Sequence, residues 1–424
     1  MVDEVFIKWV SKDVGRTVFA RIIVLNCMNI NRFCELVIVY YFKESFNMMF
    51  KRIFFFIFLL LIVFSFSVNA TEEELYSEQY NSSGAAELFG QLPEETQKAL
   101  ENAGITSSET SILSSVSISD VFGEITNIAL NEATSPFGAI PVCIGIIILC
   151  SLVESFKVSL VSSMGGVGST VGTLCVVACI VVPLCGVIQE TCEIIKGACG
   201  FMTLYIPIMG GLMLSAGEAI SGTSYCTAMM TAAQTISALS ANLFLPLLNI
   251  FLGVSVMSSI SPRMRLSSLC DMLYKICKWT MTFCMSVFVS VLTFQSVITT
   301  RADGAGGRAL KFAVSSFVPV VGGALGESLA SVRGGLKLLK SGSGVFMIFG
   351  IAFMFLPVLI RCLLWICSLN ISASIGDILG TDSVCKLLRS VSKVVSTITA
   401  VLLCVMTVFI LSTVLILIIG GAGS

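Results

Sequence analysis

Seventeen cysteines and a handful of charges set in apolar stretches are the side chains of this sequence with the means to do chemistry. Several cysteines recur at a seven-residue spacing: Cys143 and Cys150, then Cys185, Cys192 and Cys199, then Cys270, Cys277 and Cys284. Seven positions are two helical turns, so each set can share one helix face. A metal or cluster needs convergent thiolates at tighter spacing, and no Cys-x-x-Cys pair occurs. The reading that fits is cysteine as a small apolar residue in a lipid environment. Histidine is absent, which removes an imidazole base, a Ser-His pair and a His-ligated metal. There is no phosphate-binding GK[ST] loop, no G-x-S-x-G and no H-E-x-x-H. The expectation is therefore no catalytic residue, no cofactor and no resident metal.

Glu154, Glu218, Glu327 and Arg361 lie within apolar segments or at their ends. A charge at the centre of a bilayer costs about 2.5–3.5 kcal/mol on insertion scales, so such groups face a cavity, a partner or the interface. Glu327 with Arg361 is one pairing to expect. The glycines of Gly322-Gly323-Ala324-Leu325-Gly326, and Gly376 with Gly380, sit at small-xxx-small spacing, which lets helices approach closely or forms a hinge. The glycine-rich, basic stretch 301–308 reads as a flexible loop.

The elements that must position these residues follow from composition. Of the 424 residues, 56% are hydrophobic and 12% charged, against about 25% charged in a soluble domain. Mean hydropathy is +0.96. This excludes a soluble enzyme, a disordered tail and a nucleic-acid binder. The fold class to expect is all-α, a polytopic helical membrane protein.

Gaps between charges locate its segments. Eight spans are expected, near 139–156, 170–189, 197–217, 222–240, 242–260, 279–300, 343–367 and 394–418. The middle pair is read as a hairpin, because 44 uncharged residues separate Glu218 from Arg263 and a spanning helix needs about 20. A ninth candidate, 312–332, is interrupted by Pro319, Gly322, Gly323 and Glu327. A broken or re-entrant segment fits it, and such backbone must be buried in protein or line water. Pro319, Gly322, Gly323, Glu327 and Arg361 are the positions singled out for pore lining or close packing.

The N-terminal third divides into three. Residues 49–70 read as a signal peptide: Lys51 and Arg52 precede an apolar run, and Val68-Asn69-Ala70 suits cleavage between Ala70 and Thr71. An uncleaved anchor is the alternative. Residues 1–48 read as an upstream extension from an over-long gene model with the true start at Met48 or Met49, or else as a cytoplasmic extension. Residues 71–136 form an acidic extracytoplasmic region with eleven Glu, one Asp and a single base, Lys98. Two helices are expected in it, over 85–102 and 118–132, the second with Val121, Ile125, Ile128 and Ala129 on one face. Residues 137–424 then form the membrane domain.

This order of features resembles a known family. A signal precedes an acidic segment with Leu92-Pro93-Glu94-Glu95. Spans follow with Phe201-Met202-Thr203-Leu204-Tyr205-Ile206-Pro207-Ile208-Met209, then Phe294-Gln295-Ser296, then Ser315-Ser316-Phe317-Val318-Pro319-Val320-Val321-Gly322-Gly323. Over about residues 49–424 the chain resembles the stage III sporulation protein AE family of endospore-forming Firmicutes. The resemblance implies a non-enzymatic membrane subunit of the channel- or secretion-like complex joining mother cell and engulfed forespore. It implies as partners the other proteins of the stage III A operon, including a separate ATPase subunit, together with the lipid bilayer and no nucleic acid. The expected location is the mother-cell membrane surrounding the forespore. A stand-alone secondary transporter is the alternative.

Overall fold

The computed structural model describes residues 83–105, 118–156, 167–260, 266–317 and 322–421. The expected signal peptide, its Ala70–Thr71 cleavage site, the 1–48 extension and Pro319 lie outside the described residues. Among the described residues there are two short 3-10 turns, Ala85–Glu87 and Phe89–Gln91, and nine α-helices. The helices are α1 Glu94–Asn102, α2 Ile118–Glu132, α3 Thr134–Phe156, α4 Val167–Ser215, α5 Ala219–Leu239, α6 Leu245–Ile260, α7 Ser267–Phe317, α8 Gly322–Ile378 and α9 Asp382–Gly421. The protein is an all-α, multi-pass membrane protein, with helices long and apolar enough to cross a bilayer.

Those helices number six among the described residues, not the eight to nine expected: Ser119–Val153, Thr170–Ser215, Ala219–Ile260, Ser267–Leu292, Gly334–Ile378 and Asp382–Leu417. The difference has a physical cause. Glu190, Glu193 and Lys196 bound two apolar runs, but Glu and Lys are good helix formers and no turn signal lies among them. The segments expected at 170–189 and 197–217 therefore join as the single helix α4, 49 residues long and about 74 Å from end to end. The expected hairpin at 222–260 does not reverse either. Pro246 cannot donate an N–H to the turn before it, and the chain accommodates it with the wider π turn Ser240–Phe244 before running on into α6. The stretch 301–308, expected as a loop, is helical within α7, and the 312–332 stretch is divided between the end of α7 at Phe317 and the start of α8 at Gly322.

The α8–α9 hairpin is the centre of the bundle. Apolar residues occur on every side of α8, the pattern of a helix buried all round. Phe346, Phe355 and Trp365 on α8 are fully enclosed, as are Leu388, Val395, Leu402 and Phe409 on α9. Helix α4 lies along this hairpin, and α3, α5, α6 and α7 complete the layer around it. The turns are set by glycine. Gly217 (φ 86°) ends α4 and Gly380 (φ 75°) ends α8, a conformation that L side chains rarely adopt. Each closes a Schellman turn, with the Glu218 N–H donating to the Met213 carbonyl (2.8 Å) and the Thr381 N–H to the Gly376 carbonyl (3.1 Å). Gly380 is thus a turn residue, whereas Gly376 serves close packing.

Three helix crossings share one device: a glycine on one helix receives a cysteine sulfur from the next. A Cβ on Gly172 would collide with Cys150 Sγ, one on Gly210 with Cys226 Sγ, and one on Gly376 would lie 2.5 Å from Cys385 Sγ. The pairs sit at the α3–α4, α4–α5 and α8–α9 crossings. Gly210→Ala is expected to destabilise the protein by about 1–3 kcal/mol through overpacking. Adding Cys226→Ala should recover most of that loss, because the Cys226 Cβ lies 3.9 Å from the added methyl, an ordinary contact. Thermal midpoints of the purified variants check this; a double variant as unstable as Gly210→Ala alone would remove the pairing.

The acidic region packs onto this bundle. Helix α2 matches its expected bounds, with Val121 and Ile128 buried and Ile125 and Ala129 half-buried. The expected helix over 85–102 is broken. Pro93 forces Leu92 into extended backbone (φ −75°, ψ 153°), so the helix proper starts at Glu94 and two 3-10 turns precede it. Gln97 Nε2 donates to the Leu92 carbonyl at 2.6 Å and bridges the break. Ala85, Leu88, Leu100 and Ile105 are fully buried. Phe89 meets Phe346 of α8 with ring centroids 6.2 Å apart. Residues 83–105 are an arm docked against α8 and α4.

Candidate functional site: an arginine shared by two carboxylates

Arg361 lies on α8 at the end of a twenty-residue uncharged run, 341–360. Its Nε donates to Glu132 Oε2 at the end of α2, and its Nη1 donates to Glu190 Oε2 midway along α4. One planar guanidinium thus holds three segments, which suits arginine because its fork presents several donors in fixed directions. The side chains are 28% (Arg361), 16% (Glu132) and 32% (Glu190) exposed, so water screens the cluster only in part. Glu95 of the arm adds a further negative field on Glu190. Gln189 Nε2 donates to Glu193 Oε1 at 3.1 Å and extends the polar patch.

A second ion pair marks the other end of the same run. Lys340 Nζ donates to Glu218 Oε2 at 2.9 Å, with Lys340 only 4% exposed. Glu218 follows the Gly217 turn, so the fold of the α4–α5 connection aims this carboxylate at α8. Lys340 and Arg361 are twenty-one positions apart, about 32 Å along a helix, close to the roughly 30 Å hydrocarbon core of a bilayer. Lys340 and Arg361 thus stand at the two ends of one membrane-thick run of the central helix, and each is paired with carboxylates from outside that helix.

The structure brings together only part of what the sequence singled out. The expected Glu327–Arg361 pair does not form. Both residues belong to the continuous helix α8, thirty-four positions apart, which separates them by about 51 Å; Arg361 engages Glu132 and Glu190 instead. Gly322, Gly323 and Glu327 form the first two turns of α8, and the side chain of Glu327, like that of Glu154, lies outside the described residues. In the sequence Glu132 and Glu190 stand out only as charges that bound uncharged runs. The signal that could have paired them with Arg361 is their place, like that of Arg361, at the edges of uncharged runs. The seven-spaced cysteines share buried faces only in part: Cys143, Cys150, Cys192, Cys199, Cys270 and Cys277 are buried, whereas Cys284 is half-buried and Cys185 exposed. Cys150 packs against Gly172, Cys270 Sγ lies 3.7 Å from Ser255 Oγ, and Cys192 Sγ donates to the Ser240 carbonyl at 3.4 Å. Among the described residues no group of three or more Cys, Asp or Glu converges as metal ligands would.

Comparison with known proteins places this architecture. The family model described as stage III sporulation protein AE matches residues 108–421, which include α2 to α9 and the whole Arg361 cluster. The chain is 26% identical over 238 residues to the stage III sporulation protein AE of Bacillus subtilis (strain 168), a match covering 55% of this chain and 59% of that protein. No solved structure matches. Matched over well more than half its length, the chain belongs to the stage III sporulation protein AE family.

Proposed function

We propose that the protein is a non-enzymatic integral subunit of a trans-envelope complex between mother cell and forespore, needed for endospore development after engulfment. It resides in the mother-cell membrane surrounding the forespore, beside other products of the stage III A operon, and a separate ATPase subunit supplies energy. The observation that carries this reading is the family match across residues 108–421. The structure adds a physical rationale. The run of α8 between Lys340 and Arg361 is packed on all sides, and these two flanking charges are paired within the chain, which suits a scaffolding membrane part. The docked arm turns Glu87, Glu94, Glu95 and Glu101 outward, a surface for protein partners.

The test is a clean deletion in the source organism, followed by microscopy of sporulating cells. Forespores that finish engulfment and then collapse or stall support the proposal. Normal spores together with a vegetative growth defect would instead support a stand-alone permease.

A further inference from the structure

Several buried hydroxyls in this chain are satisfied within their own helix. Thr191, Ser259, Thr407 and Thr413 each donate to the carbonyl four residues earlier, a bond that removes the need for any other partner. Tyr205 of α4, Tyr225 of α5 and Ser343 of α8 depart from this habit. Their hydroxyls have no hydrogen-bond partner among the described residues, although Tyr205 and Ser343 are 0% exposed and Tyr225 only 9%. A buried polar group of this kind is normally paired with protein or with ordered water.

The three meet in one place. Glu190 pairs with Arg361, and Phe201 lies beside Gly350, so α4 runs antiparallel to α8. Tyr205 is therefore level with Phe346, within one turn of Ser343. Tyr205 adjoins Tyr225, and Tyr225 adjoins Ser412 of α9, whose hydroxyl donates to Met229 Sδ of α5. Helix α5 packs on α4 and α7, while α8 packs on α9, α4 and α3, so the Lys340–Glu218 pair reaches across the interior between α5 and α8. Ser343 follows Lys340 by three positions and shares its helix face. Four helices thus turn hydroxyls toward one interior space that has an ion pair at its end. Beyond Ser412 the interior is apolar: Met354, Phe355, Met406 and Phe409 are all enclosed.

We infer that this space is a water-binding site, in which the hydroxyls of Tyr205, Tyr225, Ser343 and Ser412 hold a small cluster of ordered water molecules joined to the Lys340–Glu218 pair. A buried water makes about three hydrogen bonds. Here it accepts from the two phenols and donates to the Ser412 oxygen, whose own proton is committed to Met229. Ser343 links the cluster to the ion pair one turn away. Glu218 is 23% exposed and Lys340 4%, so the cluster exchanges with bulk solvent past the Glu218 carboxylate. The apolar layer at Phe355 and Met406 closes the other end. Water enters this half of the bundle from one side and does not pass through it.

The test is hydroxyl-radical labelling of the full chain in lipid nanodiscs by a short X-ray pulse, read by mass spectrometry. Radicals born from bound water oxidise the side chains beside it. Met229, Met354 and Met406 are one residue type and equally enclosed, at 0%, 2% and 1% exposed, but of the three only Met229 borders the site. Oxidation of Met229 about fivefold or more faster than that of Met354 and Met406 is expected, because empty apolar interiors stay dry. Equal rates would overturn the site. A second readout is the sign of a stability change. Tyr205→Phe and Tyr225→Phe each delete a hydroxyl and keep the ring. Loss of a water-held hydroxyl lowers the thermal midpoint, by about 2 °C for each variant, and the double variant should label Met229 more slowly. An unchanged or raised midpoint, the result of deleting a phenol that has no partner, would refute the site.

Discussion

Arg361→Gln is expected to destabilise the protein by about 2–3 kcal/mol and to abolish its role in spore formation. Removing one partner of a fully buried ion pair costs about 3–5 kcal/mol. The lower figure here follows from the partial exposure of the three side chains. The loss has two sources. Two charge-assisted hydrogen bonds disappear, and the Glu132 and Glu190 carboxylates remain facing each other without the guanidinium between them. Arg361→Lys should fall in between, because an ammonium is a point charge that cannot fork to two carboxylates in the same plane. Adding Glu132→Gln and Glu190→Gln to Arg361→Gln should restore much of the thermal midpoint, since a neutral set carries no uncompensated charge. If sporulation returns with stability, the cluster is a structural clamp. If stability returns and sporulation does not, the charges themselves are used.

The second large effect concerns the arm. Leu92 is buried beside Gly350 and Phe201; a Cβ on that glycine would lie 3.6 Å from both side chains. Leu92→Asp puts a carboxylate into this contact without a partner. The cost combines the lost burial of a large aliphatic side chain, about 2–5 kcal/mol, with the penalty of desolvating a charge. The whole bundle does not depend on this contact, so the expected result is release of residues 83–105 with the helices intact. Limited proteolysis should cut within α1 in Leu92→Asp and spare it in the parent protein. Equal cleavage in both would show that the arm is not docked.

Much of this architecture is legible in the residues. The four apolar positions 121, 125, 128 and 129 define α2 and its inward face, and the uncharged runs locate the material of the long helices. What pattern reading cannot supply is where a helix fails to end. Charges at 190, 193 and 196 look like a loop between two spans, yet their side chains favour helix. The 44 uncharged residues between Glu218 and Arg263 look like a hairpin, yet the helix runs on through one π turn before Pro246. Pro93 shows the converse: a proline tolerated at a first helical turn also forces the residue before it out of the helix, so the expected start at 85 moves to Glu94. The site was half legible. Arg361 stands out as a charge in an apolar stretch. Its partners come from segments 171 and 229 positions away in sequence, and no local periodicity reports such a meeting.

Helices α2, α4 and α8 are tied at Arg361. The measurement that tests it is a double-mutant cycle between Arg361 and Glu190, read as unfolding free energies of the purified full chain with Arg361→Gln, Glu190→Gln and both. A coupling of about 1 kcal/mol or more is predicted, as for charged partners in direct contact. Additivity within about 0.3–0.5 kcal/mol, the behaviour of residues that do not touch, would contradict it.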